Sequence, residues 1–469
     1  MPEPTIPAPV DMAAEQFLSG VFAPTDGDHD ATDLVVEGEL PAGLAGAYLR
    51  NGPNVLFPPL GSYTYPLDGD GMVHGIWFED GAVRYRNRTV WTPQLRAEVA
   101  AGHAIWAGIV TPYIPGPDVA PPALADDFKP LPDINVIRHA GRYLALAEVD
   151  SPVEITAELD TVGAYDFGGL IPGMCAHPRI DPLTGELFLF RYNIAEPFLV
   201  WSVVGADGTV TTPPQPIDTG GRSFMIHDFT ITASSIVLFI GPLQFDFDAM
   251  FAGGDMLAWK PDLGTQVAVI SRETGDVRWV QTDPFWVWHF ANAFDRPTAG
   301  GGTEIVVDHT QWSRSMIAGD GPITGAITRS IIDPEAGTFR SEHFDDRGAE
   351  FSRIDDRLTG REHRHFITTT RTDAVPPGEK NLLQQIDTRT GTITSWDSGN
   401  HIFEEVCFMP GPGSEPGDGY YVTFRTDRTT LESDFVIVAA DDVAAGPVAR
   451  IPIPHRVPCG LHGNWFPAE

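Results

Sequence analysis

Lysine is scarce in this chain, with only three among 469 residues, at positions 129, 260 and 380. Acidic residues outnumber basic residues by 64 to 30, which gives a formal net charge of -34 at pH 7. A surface of this sign repels phosphate backbones and anionic lipid headgroups. The composition therefore argues against nucleic-acid binding and against membrane docking through a basic patch.

Cysteine and long apolar runs are equally scarce. Cys175, Cys407 and Cys459 are far apart and odd in number, so they provide no disulfide framework and no CxxC pair. The longest apolar run, residues 236–243, is far shorter than the ~18 residues of a spanning helix. The first residues, MPEPTIPAPVDMAAEQ, lack the basic start and apolar core of a signal peptide. We expect a cytoplasmic protein without a transmembrane segment.

Glycine and proline, by contrast, are abundant, at 48 and 42 residues, and short β-rich runs lie between them. A turn ending in glycine precedes a strand-like run seven times, at Gly81, Gly185, Gly208, Gly275, Gly337, Gly391 and Gly446. The spacings between the later turns of this kind approach the ~40 to 50 residues of a four-stranded propeller blade. This pattern predicts one all-β domain over residues 1–469, a β-propeller of about seven blades. A tandem of β-sandwiches is the alternative.

Two segments depart from the strand-and-turn pattern. Residues 1–40 are expected to form an N-terminal extension. Residues 103–128 are apolar and rich in proline, which is too irregular for a blade. They are expected to pack as a loop over one face, or to form a lid that admits an apolar substrate and transiently contacts a lipid surface.

Four of the 14 histidines lie in apolar or small-residue surroundings: His177 in CAHPRID, His227 in FMIHDFTI, His289 in WVWHFANAF and His462 in CGLHGNWFP. An unpaired buried ring would cost about 1 to 3 kcal/mol. In a propeller, inner strands from different blades converge on the axis, so residues far apart in sequence can meet there. The four histidines are candidate ligands of one metal ion, and neutral imidazoles suit Fe(II), Zn or Cu. Core packing of each ring is the alternative.

Three glutamates stand in otherwise apolar runs, namely Glu148, Glu350 and Glu404. A buried glutamate needs a hydrogen-bond donor. Carboxylates that accept from the second ring N–H of a ligating histidine orient the ring and compensate the charge of the metal. We therefore expect these glutamates to surround the candidate centre.

At these residues the sequence resembles the carotenoid cleavage oxygenase family, along nearly the whole chain. The resemblance rests on segments that occur in a fixed order around the four histidines: YLRNGPN, LDGDGMVHGI, AHPRIDPLTGELF, FMIHDFTIT, WVWHFANAF and GPVARIPIPHRVPCGLHGNWFP. It implies a seven-bladed propeller with a cap of helices and loops over the metal-bearing face. It also implies non-haem Fe(II) bound by His177, His227, His289 and His462, with Glu148, Glu350 and Glu404 holding the last three in that order.

The activity implied by the resemblance is cleavage of a carbon–carbon double bond by O2 into two carbonyl products, without flavin, nicotinamide or 2-oxoglutarate. The aromatic residues near the histidines, Phe229, Trp286, Trp288 and Phe290, are candidates for the wall of a substrate tunnel, with core packing as the alternative. The expected partners are O2 and an apolar alkene.

The substrate class is less fixed. Family members that cleave stilbenoids or phenylpropenoids typically carry a lysine just before the first of the glutamates, where this sequence has Ala147, and the NTN-like stretch upstream reads DIN at residues 133–135. Without a cation at position 147, an ionised phenol on the substrate loses one source of support. An apolar carotenoid or apocarotenoid is therefore favoured, with a stilbenoid or a phenylpropenoid of the isoeugenol or vinylphenol type as the alternative. A non-cleaving isomerase or lipid-binding propeller, and a hydrolytic propeller using Zn or Ca, are the alternatives of another class.

Overall fold

The computed structural model describes residues 5–111, 113–251, 254–320 and 322–468. Seven antiparallel sheets follow one another along the chain as the blades of a β-propeller, so the all-β, seven-bladed prediction is confirmed. Blades are numbered in chain order, and the strand named first for each blade is its inner strand.

Most blades are simple four-stranded meanders. Their strands are Asn135–His139, Arg142–Leu146, Val153–Ile155 and Thr161–Ala164 in blade 2; Arg179–Ile180, Leu187–Tyr192, Leu199–Val204 and Val210–Pro216 in blade 3; Thr230–Ile231, Ser235–Ile240, Thr265–Ser271 and Val277–Thr282 in blade 4; Phe290–Pro297, Thr303–Trp312, Gly325–Asp333 and Thr338–Asp345 in blade 5; and Glu350–Arg353, His365–Thr370, Leu382–Asp387 and Ile393–Asp397 in blade 6.

Blades 1 and 7 combine strands from both ends of the chain. Blade 1 contains Gly463–Pro467, Gly46–Arg50, Met72–Glu79, Ala82–Thr89 and His29–Ala31, and blade 7 contains Cys407–Pro410, His401–Ile402, Gly419–Asp427, Ser433–Ala439, Pro447–Ile453 and Glu37–Gly38. The last strand of the chain pairs antiparallel with Gly46–Arg50, which closes the ring. Part of the predicted extension, residues 1–40, thus supplies two outer strands.

The seven glycine-terminated turns occur where the pattern placed them. Each lies between two paired antiparallel strands, and each glycine has a φ between 66° and 85°. This left-handed conformation is accessible to glycine at little steric cost, which explains the recurrence of the residue before strands.

The helical elements are few and short. The α-helices are Pro93–Ala101 and Phe247–Phe251, and the 3-10 helices are Gln16–Leu18, Gly20–Phe22, Pro261–Leu263, Asp356–Leu358 and Val443–Ala445. An extra hairpin, Leu243–Phe245 with Leu257–Trp259, projects from blade 4. None of the helices in the described residues is long and apolar enough to cross a membrane.

Candidate metal centre

The four histidines singled out in the sequence come together in the structure. Their candidate ligand nitrogens all lie within 4.8 Å of one another. His289 and His462 stand directly before the inner strands of blades 5 and 1, and His177 and His227 stand two and three residues before the inner strands of blades 3 and 4. Since these strands surround the axis, one residue at the start of each is enough to place four rings in one cluster.

Carboxylates hold three of the four rings. Nδ1 of His227 lies 3.0 Å from Glu148, Nδ1 of His289 lies 2.6 Å from Glu350, and Nδ1 of His462 lies 2.9 Å from Glu405. With the ring proton on Nδ1 facing the carboxylate, Nε2 is left with its lone pair. Within the described residues, His177 has no carboxylate partner.

The partner of His462 corrects one prediction. Glu405, and not Glu404, binds His462, while Glu404 forms an ion pair with Lys380 at 2.5 Å. Neighbouring side chains in an extended segment point to opposite sides, so only one of the two adjacent glutamates can face the axis. The sequence alone does not show which of the two glutamates faces the axis.

The Glu405 carboxylate is the most completely bonded of the three. It accepts from His462, from the backbone N–H of Gly463 at 2.9 Å and from the Arg353 guanidinium at 2.8 Å. Burial opposes ionisation, but the charge of Arg353 and the hydrogen bonds from His462 and Gly463 outweigh it and lower the pKa of Glu405 to about 2. Arg353 also donates to the carbonyl of Gly463, so it fixes the start of the last strand.

Glu350 is placed by a bulge in blade 6. The pairing register shifts between Glu350 and Arg353, and Phe351 between them has a φ of 55°. Bulges next to functional sites commonly redirect a side chain. Here Glu350 reaches His289 and accepts from the indole N–H of Trp312, while the Phe351 ring stacks on His289 at 5.2 Å.

The electrostatics of the rings suit a cation-binding site. Burial lowers the pKa of His177, His289 and His462, so these imidazoles are neutral near pH 7. Burial acts in the same direction on His227, but the Glu148 carboxylate outweighs it and raises the pKa of that ring. Three of the four rings are thus neutral nitrogen donors, and a carboxylate lies behind three of the four.

Two features test whether a metal fits. Nε2 of His289 is buried and has no hydrogen-bond partner among the described residues. Nε2 of His177 and Nε2 of His227 lie 3.1 Å apart, so two further candidate ligand nitrogens face each other in the same cluster. A buried imidazole nitrogen without a donor, in a cluster of four that face one another, is what a metal ion satisfies. The four histidines therefore fit a metal ion, and imidazole donors alone do not specify which one.

A cavity of about 290 Å³ adjoins the cluster on the side of His227. Most of its lining is apolar, and Ala147, Glu148 and Met225 bring it beside the centre. Elements outside the blades, called the cap from here on, supply much of the rest, among them Trp106, Ile109, Phe128, Phe245 and Phe247. The cap comprises the helix Pro93–Ala101, the described part of the segment 103–128, and the hairpin Leu243–Phe245 with Leu257–Trp259 and the helix Phe247–Phe251 between its strands. Residues of the 103–128 segment, of which residue 112 lies outside the described residues, thus contribute to the lining.

The aromatic residues predicted to line a tunnel lie elsewhere. Phe229, Trp286, Trp288 and Phe290 are buried in the core and are not part of the cavity lining. Trp288 contacts the His227 ring with centroids 4.9 Å apart, whereas Phe290 packs against Phe239. Proximity in sequence to a histidine was a poor guide, because these side chains pack in the core while much of the cavity wall comes from segments outside the blades.

Other residues of the site carry little sequence signal. Tyr192 lies in the cavity and its hydroxyl is 3.4 Å from Glu148. Arg353 stands three positions after Glu350, in the segment EFSR, and Trp312 ends a blade 5 strand. An isolated tyrosine, arginine or tryptophan in a strand-rich sequence has many structural uses, so none of them was distinguishable before the blades were placed.

Known proteins resemble the chain over almost its full length. Residues 22–467 match the family model described as retinal pigment epithelial membrane protein. A carotenoid cleavage oxygenase of Mycobacterium tuberculosis is 32% identical, with 96% of this chain and 97% of the relative covered. An isoeugenol monooxygenase of Pseudomonas nitroreducens is 29% identical over 96% of this chain and 98% of the relative. The crystal structure of a Pseudomonas brassicacearum lignostilbene dioxygenase superposes with a TM-score of 0.86 at 28% identity, covering 99% of this chain and all of the other.

Proposed function

The chain belongs to the carotenoid cleavage oxygenase family, and from this premise we propose that it is a non-haem Fe(II) oxygenase that cleaves a carbon–carbon double bond of an apolar carotenoid or apocarotenoid. The products are two carbonyl compounds. The observation that carries the proposal is the convergence of His177, His227, His289 and His462 beside an apolar cavity. The reaction balances as one alkene plus one O2 giving two carbonyl groups, so no further reductant is required.

The four histidines would hold the iron, and bound Fe(II) would supply the binding and activation of O2. The residues of the chain orient the metal ligands and hold the alkene. Glu148, Glu350 and Glu405 hold three rings by Nδ1, which fixes the direction of each Nε2 lone pair. The cavity takes the alkene from water and keeps it beside the centre without requiring a protein nucleophile.

The cap controls the approach to the cavity. Its lining residues Val110, Phe128 and Ile194 are also exposed on the surface, at 44%, 61% and 54%. An apolar molecule can therefore contact apolar side chains continuously from the surface to the centre. We assign to residues 103–128 the role of a cover over this path.

A stilbenoid or phenylpropenoid substrate is the second candidate. It is favoured by the likeness to the lignostilbene dioxygenase and to the isoeugenol monooxygenase. The reaction on the double bond is the same, and one product is then an aromatic aldehyde.

The decisive experiment loads the protein anaerobically with Fe(II), admits O2 and identifies products by mass. The substrates are apocarotenoids, stilbenoids and propenylphenols. Two carbonyl products from an apocarotenoid, each carrying one atom from labelled O2, support the proposal. Isomerised substrate without O2 uptake would contradict cleavage, and activity with Zn in place of iron would contradict the assigned metal.

A further inference from the structure

The side chain of Asp133 is unusual among the acidic residues of the cavity. Asp133 has no exposed surface, belongs to the cavity lining and precedes the inner strand of blade 2. Neither of its carboxyl oxygens has a hydrogen-bond partner among the described residues. A buried polar group without a partner costs about 1 to 3 kcal/mol, so its presence calls for an explanation.

Three neighbouring acids, Asp68, Asp70 and Glu98, have hydrogen-bond or ion-pair partners. Asp68 accepts from the backbone N–H of Thr64 and of Ile109, at 2.8 and 2.9 Å. Asp70 and Glu98 share the ammonium of Lys129, at 2.5 and 2.6 Å. The nearby cation is thus already engaged, and Asp133 is left without a donor beside an otherwise apolar space.

Asp133 lies close to the candidate centre. The N–H of the next residue, Ile134, donates to the carbonyl of Leu146 at 3.0 Å, which places residue 133 beside the segment that carries Glu148. The carbonyl of Ile134 accepts from the backbone N–H of His462 at 3.1 Å. A substrate that reaches the centre through the cavity passes this carboxyl group.

We propose that Asp133 is a specificity-determining residue that binds a hydroxyl group on the substrate. This inference rests on the proposed cleavage function. A carboxyl group and a hydroxyl group can each donate and accept, so the pair satisfies both oxygens of Asp133 in an apolar cavity. Two sources share this chemistry: a phenol on an aromatic alkene and an alcohol on the end ring of a carotenoid.

The local electrostatics agree with a neutral acid that donates. Burial raises the pKa of Asp133 well above its ordinary value, and the charges of Asp68 and Asp70 raise it further. A protonated carboxyl in an apolar site is a strong hydrogen-bond donor that does not demand a counter-ion. A hydroxyl group, which carries no charge, matches this state.

The test measures binding to the iron-loaded protein without O2, so that no turnover is needed. Two probe pairs are titrated: para-hydroxystilbene with its methyl ether, and a ring-hydroxylated apocarotenal with its deoxy counterpart. In the wild-type protein the hydroxylated member of one pair should bind about 10-fold more tightly, the equivalent of one buried hydrogen bond, and the pair that shows it identifies the source. Equal binding within both pairs would overturn the proposal.

Variants of Asp133 assign the preference. Asp133→Leu should remove it while retaining the affinity for the methyl ether or deoxy probe, and Asp133→Asn, which still donates and accepts, should keep most of it. Asp133→Leu should also raise Tm, because it removes an unpartnered buried carboxyl, whereas a structural role predicts a lower Tm. A preference that survives in Asp133→Leu would refute the assignment, and if that variant does not fold, the probe pairs on the wild-type protein still decide.

The result is separable from the proposed function. A preference for hydroxylated probes without any cleavage would contradict the oxygenase and leave the Asp133 site standing. Cleavage of alkenes without a preference for hydroxylated probes would support the oxygenase and contradict the Asp133 site.

Discussion

The two ends of the histidine cluster differ in how completely they are bonded. At the His462 side, formed by His462, Glu405 and Arg353, the carboxylate is 1% exposed and both of its oxygens accept hydrogen bonds. At the His227 side, formed by His227, Glu148 and Tyr192, the carboxylate is 17% exposed and lines the cavity. The comparison indicates that one side anchors the centre to the fold, while the other is free to respond to what enters the cavity.

Removing a ring should have the largest effect on both sides. His462→Ala deletes one of four donors and should reduce bound iron from near one per chain to near zero, with no detectable alkene cleavage. Metal analysis after anaerobic loading measures this. His343→Ala, a half-exposed ring paired with Asp346, is the matched control and should bind iron normally. Equal iron contents in the two variants would contradict the ligand assignment.

Replacing the carboxylate on each side by an amide should distinguish the two sides. Glu405→Gln leaves the buried Arg353 without its main counter-charge and should cost about 3 kcal/mol of unfolding free energy, because one partner of a buried pair is lost. Glu148→Gln should cost about 1 kcal/mol or less, since its carboxylate is reached by the cavity. Both should weaken iron binding by about 10- to 100-fold.

Chemical denaturation and iron titration check these expectations. A loss of stability in Glu148→Gln as large as that in Glu405→Gln would remove the distinction between the two sides. Unchanged iron affinity in both would show that the carboxylates do not support the rings.

Much of this arrangement was predictable from sequence, for identifiable reasons. The glycine turns predicted the blades because a positive φ before a strand demands glycine, and the apolar surroundings of His177, His227, His289 and His462 marked them as unusual. Glu148 and Glu350 were each alone in an apolar run, which marked them as candidates, and their pairing with His227 and His289 was implied by the family resemblance.

What failed depended on the direction of a side chain or on distant contacts. Glu404 and Glu405 are adjacent and equally apolar in their surroundings, so their assignment required the strand direction. Much of the cavity wall comes from segments outside the blades that are far in sequence from the histidines, which is why the aromatic residues beside the histidines were a poor guide. Asp133 stood within the DIN stretch, but its lack of a partner is visible only in three dimensions.

A smaller effect on stability is expected at the cover of the cavity, where a change of pH alters the protonation of Asp68. Burial raises the pKa of Asp68 from 3.8 to about 6, against the pull of the Ile109 and Thr64 N–H donors. Because the folded state binds this proton more tightly, Asp68 destabilises the fold above its folded pKa and less so as the pH falls. Between about pH 7 and about pH 5, wild-type stability should rise by about 1 kcal/mol relative to Asp68→Asn.

Denaturant unfolding of both proteins at several pH values measures this difference. A constant difference across the range would show that Asp68 titrates at its ordinary pKa. A difference of opposite sign would show that the carboxylate form is the one that the cover segment stabilises.

The smallest effect is expected at Tyr192, on the open side. Its hydroxyl lies 3.4 Å from Glu148, a long and weak hydrogen bond, and burial raises the pKa of the phenol well above its ordinary value, so it remains a donor. Tyr192→Phe should leave iron content and Tm unchanged and alter kcat/KM by only about 2- to 3-fold, which corresponds to about 0.5 kcal/mol. Glu148 would lose one donor but keep its contact with His227, which is why iron binding should not change. A change confined to KM would indicate that the Tyr192 hydroxyl contacts the substrate. Loss of iron in Tyr192→Phe would instead mean that the open side is as tightly coupled to the metal as the His462 side.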